Sequence, residues 1–167
     1  GLDEYTERSL KNAIFGVQEP NILNPDGMPL YTIAKGVSHG VLTGGNLSLL
    51  AASLGTPYEI ETKDKILFIE DIGETPYRID RMLLMLKQAG KVRACAGILL
   101  GAFTDCAAPD PAESLTLREV ITELLLDEGK PILGALQCGH IMPTMSLPLG
   151  VNVNLDATNR TLRVLEY

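Results

Sequence analysis

The sequence lacks most of the features that announce a partner or a compartment directly. Lysine and arginine total 14 against 21 aspartates and glutamates, a net charge of −7. That balance excludes nucleic acid and anionic membrane surfaces as partners, since both require a basic face. No apolar run approaches the roughly 18 residues of a membrane span. The opening stretch, GLDEYTERSL, is acidic and lacks the apolar core of a signal peptide. There are only three cysteines, Cys95, Cys106 and Cys138, and no C-x-x-C pair. An odd number at wide spacing fits reduced thiols in a reducing cytoplasm. Joining Cys106, Cys138 and His140 into a zinc site would lack the closely spaced ligand pair that such sites show, so neither a metal nor another cofactor is expected. Internal repeats and low-complexity tracts are absent. Gly44-Gly45-Asn46 is not followed by Gly-Lys-Ser/Thr, which excludes a nucleotide P-loop.

What is present is a chain of 167 residues, 46% hydrophobic and 21% charged, of a size and composition expected for one soluble globular domain. It begins at Gly1 without a methionine, as expected of a piece of something longer or a cleaved tag.

Apolar patterning predicts an α/β fold with a small parallel sheet, flanking helices and additional antiparallel strands. A short amphipathic helix is expected over Leu2 to Phe15, capped by Asp3, with Leu10 and Ile14 on one face. VQEPNILNPDGMPL, 17–30, reads as a linker or irregular loop. Tyr31 to Leu42 reads as extended chain, the double glycine at 44 and 45 as a turn, and Asn46 as the cap of a helix from Leu47 to Leu54. Ile66 to Ile69 has the continuous apolar character of a strand buried on both faces. Thr75 and Pro76 start a helix that runs to Ala89. Cys95 to Phe103 is the next strand, and 104–115 a loop. Thr116 and Glu119 form a capping box for a helix to Asp127, and Ile132 to Leu136 is a third buried strand. Val151 to Leu155 and Thr161 to Leu165, joined by DATNR, make a hairpin.

Three residues fall in the chain order of a hydrolase triad: Ser38 in GVSHG, Glu70 at a strand end, and His140 in QCGHIMP. A nucleophile elbow requires a helix to start directly after the serine. Here the chain stays extended through His39 to Leu42, so the context of the motif is missing and His39 reads as a strand residue. Glu70 sits where parallel sheets build their sites, although a carboxylate there also serves as a turn cap. Its neighbours Asp71 and Glu74 crowd negative charge at the same place. His140 follows a buried strand. If that strand and Ile66–Ile69 are parallel neighbours, the carboxylate and the imidazole meet at one sheet edge, giving two-thirds of a triad. No other serine stands in a convincing position for the nucleophile. Gly44, Gly45 and Asn46 offer backbone N–H groups to a carboxylate ligand, or simply turn and cap the chain.

Four longer stretches, GVLTGGNLSLLAASLGTP, ILFIEDIGETPYRIDRMLLMLKQAG, GILLGAFTDC and GHIMPTMSLPLGVNVNLD, together resemble the LD-carboxypeptidase family, the muramoyltetrapeptide carboxypeptidases, from about Lys35 to the end of the chain. The resemblance covers only the second of that family's two domains. It implies a swivelling β/β/α-type domain over 31–167, preceded at 1–30 by a helix and linker from a missing N-terminal domain. It also implies serine peptidases with a Ser–Glu–His triad and no metal, which remove the terminal D-alanine from murein tetrapeptide in the cytoplasm during cell-wall recycling. Relatives inactivate a peptide–nucleotide antibiotic. By this resemblance Glu70 and His140 are the catalytic acid and base, Gly45 and Asn46 line the substrate cleft, and the nucleophile and oxyanion hole belong to the other domain. Ser38 then matches its motif by accident. A homodimer is common in the family. Two other readings compete: a self-contained esterase using Ser38, and a non-catalytic binding or carrier domain.

Overall fold

A computed structural model of the chain describes residues 1–15, 21–110 and 114–166. In chain order its elements are α1 (Glu4–Phe15), β1 (Asn21–Ile22), β2 (Tyr31–Ala34), β3 (Val37–Asn46), α2 (Leu47–Ala52) and β4 (Ile66–Ile72). There follow α3 (Pro76–Gln88), α4 (Lys91–Ala94), β5 (Gly97–Thr104), α5 (Leu117–Leu125), a 3-10 turn at Leu126–Glu128, β6 (Ile132–Gly134), β7 (Asn152–Asp156) and β8 (Thr161–Glu166).

All eight strands join one sheet in the order β1-β8-β7-β3-β4-β5-β6-β2. Its centre, β3-β4-β5-β6, is parallel. The strands from the beginning and end of the chain extend it antiparallel on both sides. The sheet curls until its two flanks meet: the Thr32 hydroxyl bonds to the Ala157 carbonyl, and the Gly36 N–H donates to Thr158 Oγ1 at 3.0 Å. Alternation along the central strands divides two cores. Leu67, Ile69, Ile98 and Leu100 face α2, α3 and α5. Ile66, Phe68 and Leu99 face the interior of the curl, against Leu42, Val153, Leu155 and Leu162.

The helix signals act as the sequence suggests at three places. Asp3 accepts from the Thr6 N–H at 2.9 Å at the start of α1. Asn46 accepts from the Leu49 N–H at 3.2 Å, and Thr116 with Glu119 closes a full capping box. Thr75 precedes Pro76 at the start of α3 but makes no side-chain cap.

Four expectations are corrected. Gly44 and Gly45 do not turn the chain, because β3 runs straight through them to Asn46. Gly44 has φ +135°, and a Cβ there would overlap the Phe68 carbonyl, so the glycine lets β3 lie close against β4. Leu10 and Ile14 are exposed; the buried side chain of α1 is Thr6. The stretch read as a loop over 17–30 contains β1, an edge strand paired to β8. Finally, β4 and β6 are parallel but not neighbours, since β5 lies between them. Parts of the two expected loops, 17–20 and 111–113, lie outside the described residues.

Candidate active site

Glu70 is the fifth residue of β4 and is 4% exposed. Its Oε2 atom lies 2.9 Å from His140 Nδ1 and also accepts the His140 backbone N–H at 3.2 Å. An ionised carboxylate can only accept, so the ring must carry its proton on Nδ1 when neutral. That leaves Nε2 with a free lone pair. The His140 side chain is 53% exposed, and among the described residues nothing hydrogen-bonds to Nε2. The hydrogen bond with Glu70, then the carboxylate's charge, holds the imidazole pKa above its ordinary value; burial opposes this and the charge of Asp71 adds to it.

His140 reaches Glu70 although two strands' width separates β4 from β6. After β6 the chain turns back over the end of β5: Leu136 N–H donates to the Leu100 carbonyl at 3.1 Å, and Ala102 N–H to the Cys138 carbonyl at 3.0 Å. Gly101 makes the crossing possible, because a Cβ there would come within 2.6 Å of the Cys138 oxygen and 2.7 Å of the Phe68 ring. At the same place the β4–β5 register slips, pairing Ile69 with Leu100 but Asp71 with Phe103. The bulge leaves Glu70 without a Cα partner on that side and gives the crossing chain room to reach it.

Asp71 has a different task from its neighbour. It is 2% exposed and points to the start of α2, accepting from Asn46 Nδ2 at 2.9 Å, Ser48 N at 3.0 Å and Ser48 Oγ at 2.8 Å. Its own Oδ1 also takes the Ile72 N–H at 2.8 Å. A carboxylate at a helix N-terminus satisfies free N–H groups and meets the positive end of the helix dipole. The crowding of negative charge at 70 and 71 is thereby resolved: one carboxylate holds the histidine, the other holds α2. Glu74 points elsewhere and pairs with Arg78 at 3.3 Å.

Gly45 and Asn46 arrive at the same sheet edge, registered against Ile69 and Glu70. The Asn46 amide is engaged at both ends, its Oδ1 by Leu49 and its Nδ2 by Asp71. Ser38 lies eight residues back along β3 from Asn46, roughly 26 Å at the rise of an extended strand. Its Oγ is sealed from solvent with no hydrogen-bond partner. The structure therefore separates Ser38 from His140. The three cysteines are buried thiols. Burial, with the charge of Glu70 adding to it, pushes the Cys138 thiol up to about 12, and burial pushes Cys95 up to about 11. Among the described residues no three His, Cys, Asp or Glu side chains converge as a metal site requires.

Sequence reasoning missed Asp71 as the anchor of α2 and Gly101 and Gly139 as the residues that let His140 meet Glu70. The donors to Asp71 lie 23 and 25 positions away, so no local pattern marks it. The glycine directly before His140 is visible in QCGHIMP, but the carboxylate it abuts is 69 residues upstream.

The sequence pattern of the LD-carboxypeptidase C-terminal domain matches residues 39–155. A probable murein peptide carboxypeptidase of Bacillus subtilis is 43% identical over 133 residues, 80% of this chain and 42% of that protein. The microcin C7 self-immunity protein MccF of Escherichia coli is 34% identical over 136 residues, 79% of this chain and 38% of its own length. The crystal structure of a muramoyltetrapeptide carboxypeptidase from Oxalobacter formigenes superposes with a TM-score of 0.78 at 26% identity, covering 98% of this chain and 55% of that one. The chain thus spans less than half the length of these two curated relatives. No helix among the described residues is long and apolar enough to cross a membrane.

Proposed function

Because the chain belongs to the LD-carboxypeptidase family, whose C-terminal domain it matches in sequence and fold, we propose that it carries the acid–base half of a serine-type peptidase site. The whole enzyme would remove the terminal D-alanine from murein tetrapeptide in the cytoplasm, as a step of cell-wall recycling. The observation that carries this reading is the 2.9 Å contact between Glu70 Oε2 and His140 Nδ1, which leaves Nε2 unprotonated and open.

In this mechanism a serine supplied by a preceding domain attacks the amide carbonyl while Nε2 of His140 takes its proton. The imidazolium then gives that proton to the departing amine of D-alanine, and Glu70 stabilises the positive ring between the two transfers. A serine from outside the chain is invoked because Ser38 is remote and Ser48 donates to Asp71. Gly45 and Asn46, at the same sheet edge, would border the peptide. The 34% identity to the microcin self-immunity protein supports a second substrate class, a peptide–nucleotide antibiotic.

The test is a comparison within the complete enzyme. His140→Ala and Glu70→Gln are each expected to lower kcat on murein tetrapeptide by about three to four orders of magnitude, with a smaller change in KM. Glu74→Gln is expected to leave kcat close to wild type. Full activity of His140→Ala would overturn the assignment. The chain on its own is expected to turn over neither this peptide nor small esters, since it brings no nucleophile to the imidazole.

A further inference from the structure

The loop that carries His140 is held from outside the sheet by α1, and in an unusual manner. The apolar residues of that helix, Leu10, Ile14 and Phe15, are 40%, 66% and 78% exposed, while Thr6 is 6% exposed. The helix therefore does not sit on the loop through an apolar stripe, which is how amphipathic helices ordinarily dock. Tyr5 packs against the core inside the curl, and the loop itself is met by two hydroxyls one turn apart. Thr6 Oγ1 accepts the Thr144 N–H at 2.9 Å, and Ser9 Oγ accepts the Ser146 N–H at 2.9 Å.

The Thr6 contact is part of a longer chain of bonds. Asp3 Oδ2 takes the Thr6 hydroxyl proton at 2.7 Å, which turns the oxygen's lone pairs toward Thr144. Thr144 Oγ1 in turn donates to the Gly139 carbonyl at 3.2 Å. That carbonyl carbon is bonded to the His140 nitrogen, which donates to Glu70. Asp3, Thr6, Thr144, Gly139, His140 and Glu70 thus form one connected path from the first turn of α1 to the imidazole. Between Gly139 and Ser146 the backbone N–H groups have few other anchors: His140 bonds to Glu70, Ile141 to the Gly139 carbonyl and Met145 to the Gln137 carbonyl.

We propose that Thr6, oriented by Asp3 and seconded by Ser9, is a positioning residue for His140, so that α1 sets the angle at which Nε2 is presented to the reacting atoms. The proposal rests on the reading of His140 as general base. The physical warrant is that a loop hydrogen-bonded at two N–H groups to a capped helix keeps its histidine in one orientation, and small misplacements of a catalytic group cost large factors in rate. Thr6→Val keeps the shape of the side chain and removes the acceptor.

The experiment combines kinetics of the complete enzyme with an NMR titration of its histidines. The His140 signal is identified as the one lost in His140→Ala. Thr6→Val is expected to lower kcat by about ten- to a hundredfold with KM little changed. The His140 titration should shift down as its contact with Glu70 loosens. Thr6→Ser, which keeps the hydroxyl, should restore both readouts. Ser9→Ala, a milder change, should give a smaller effect in the same direction, and it carries the test if Thr6→Val does not fold. Wild-type kcat and an unmoved His140 titration in Thr6→Val, or in Ser9→Ala if that variant must stand in, would overturn the proposal. A shifted titration in Thr6→Val combined with full activity of His140→Ala would support the brace while removing the base role from His140.

Discussion

Gly139 lies so close against Glu70 that a Cβ on it would overlap Oε2 and come within 2.8 Å of Cγ. The residue before the histidine is thus shaped by the carboxylate that the histidine must meet, and its φ of +113° is one that L side chains rarely adopt. Gly139→Ala should push the Glu70 side chain away from Nδ1 and strain the backbone together. We expect kcat to fall about as far as in Glu70→Gln, with a loss of about 1–3 kcal/mol in urea unfolding. Gly90→Ala is the control: φ is +77° but nothing lies near the added carbon. It should cost roughly 1 kcal/mol and leave kcat unchanged.

Asp71→Asn tests the division of labour between adjacent carboxylates. Asp71 accepts from four donors, two on each oxygen, which an amide cannot do, since its NH2 would face two of them whichever way it is turned. The loss should be about 1–3 kcal/mol of stability, with faster hydrogen exchange at the start of α2. The His140–Glu70 contact is made on the other side of β4 and should survive, seen as an unchanged Nδ1 tautomer by NMR.

The parts of this fold that the sequence discloses are those set by local chemistry. Ile66 to Ile69 is an unbroken apolar run because both faces of β4 are covered, and the Thr116–Glu119 box is a contact between residues three apart. The hairpin of β7 and β8 is likewise legible at DATNR. What is not legible depends on partners far away in sequence. Gly44-Gly45 has the composition of a turn, and only the position of the Phe68 carbonyl explains why it lies within a strand. Leu10 and Ile14 have the spacing of a buried stripe, but the loop is met by the hydroxyls of Thr6 and Ser9 and both apolar side chains stay exposed. Glu70 and His140 are visible as candidates from their places at strand ends. Their meeting depends on the bulge in β5 and on Gly101, and the lone glycine in GILLGAF marks a close approach without showing which segment makes it.

Ser38 gives a prediction of opposite sign to the usual loss on mutation. Its Oγ is buried without a partner, which ordinarily costs free energy. Ser38→Ala removes that cost and opens a space no larger than a hydroxyl. The variant should be as stable as wild type or more so, by on the order of 1 kcal/mol, in thermal unfolding. Its kcat should equal that of wild type, because roughly 26 Å of strand separates it from the site edge. Loss of activity here would restore the G-x-S-x-G reading.

The pH dependence separates what His140 does for catalysis from what it does for stability. The base must be neutral, and Glu70 raises the imidazole pKa, chiefly through its hydrogen bond. The acid limb of kcat/KM should therefore lie above the ordinary imidazole value of about 6.5. Glu70→Gln should move that limb downward while lowering the plateau, because the charge that favours the imidazolium is gone. Stability has the opposite trend. A group whose pKa is higher in the folded than in the unfolded chain stabilises the fold fully below the unfolded value of about 6.5. That contribution is lost as pH rises through the folded value. The difference in unfolding free energy between wild type and Glu70→Gln should then be larger below about pH 6 than above about pH 8, after the same comparison with His140→Ala present has been subtracted. Coincident rise of activity and fall of this coupling with pH would trace both to one proton on one imidazole. A coupling that did not change across that range would mean that the Glu70–His140 contact forms without the imidazolium being favoured, and the raised pKa would have to be abandoned.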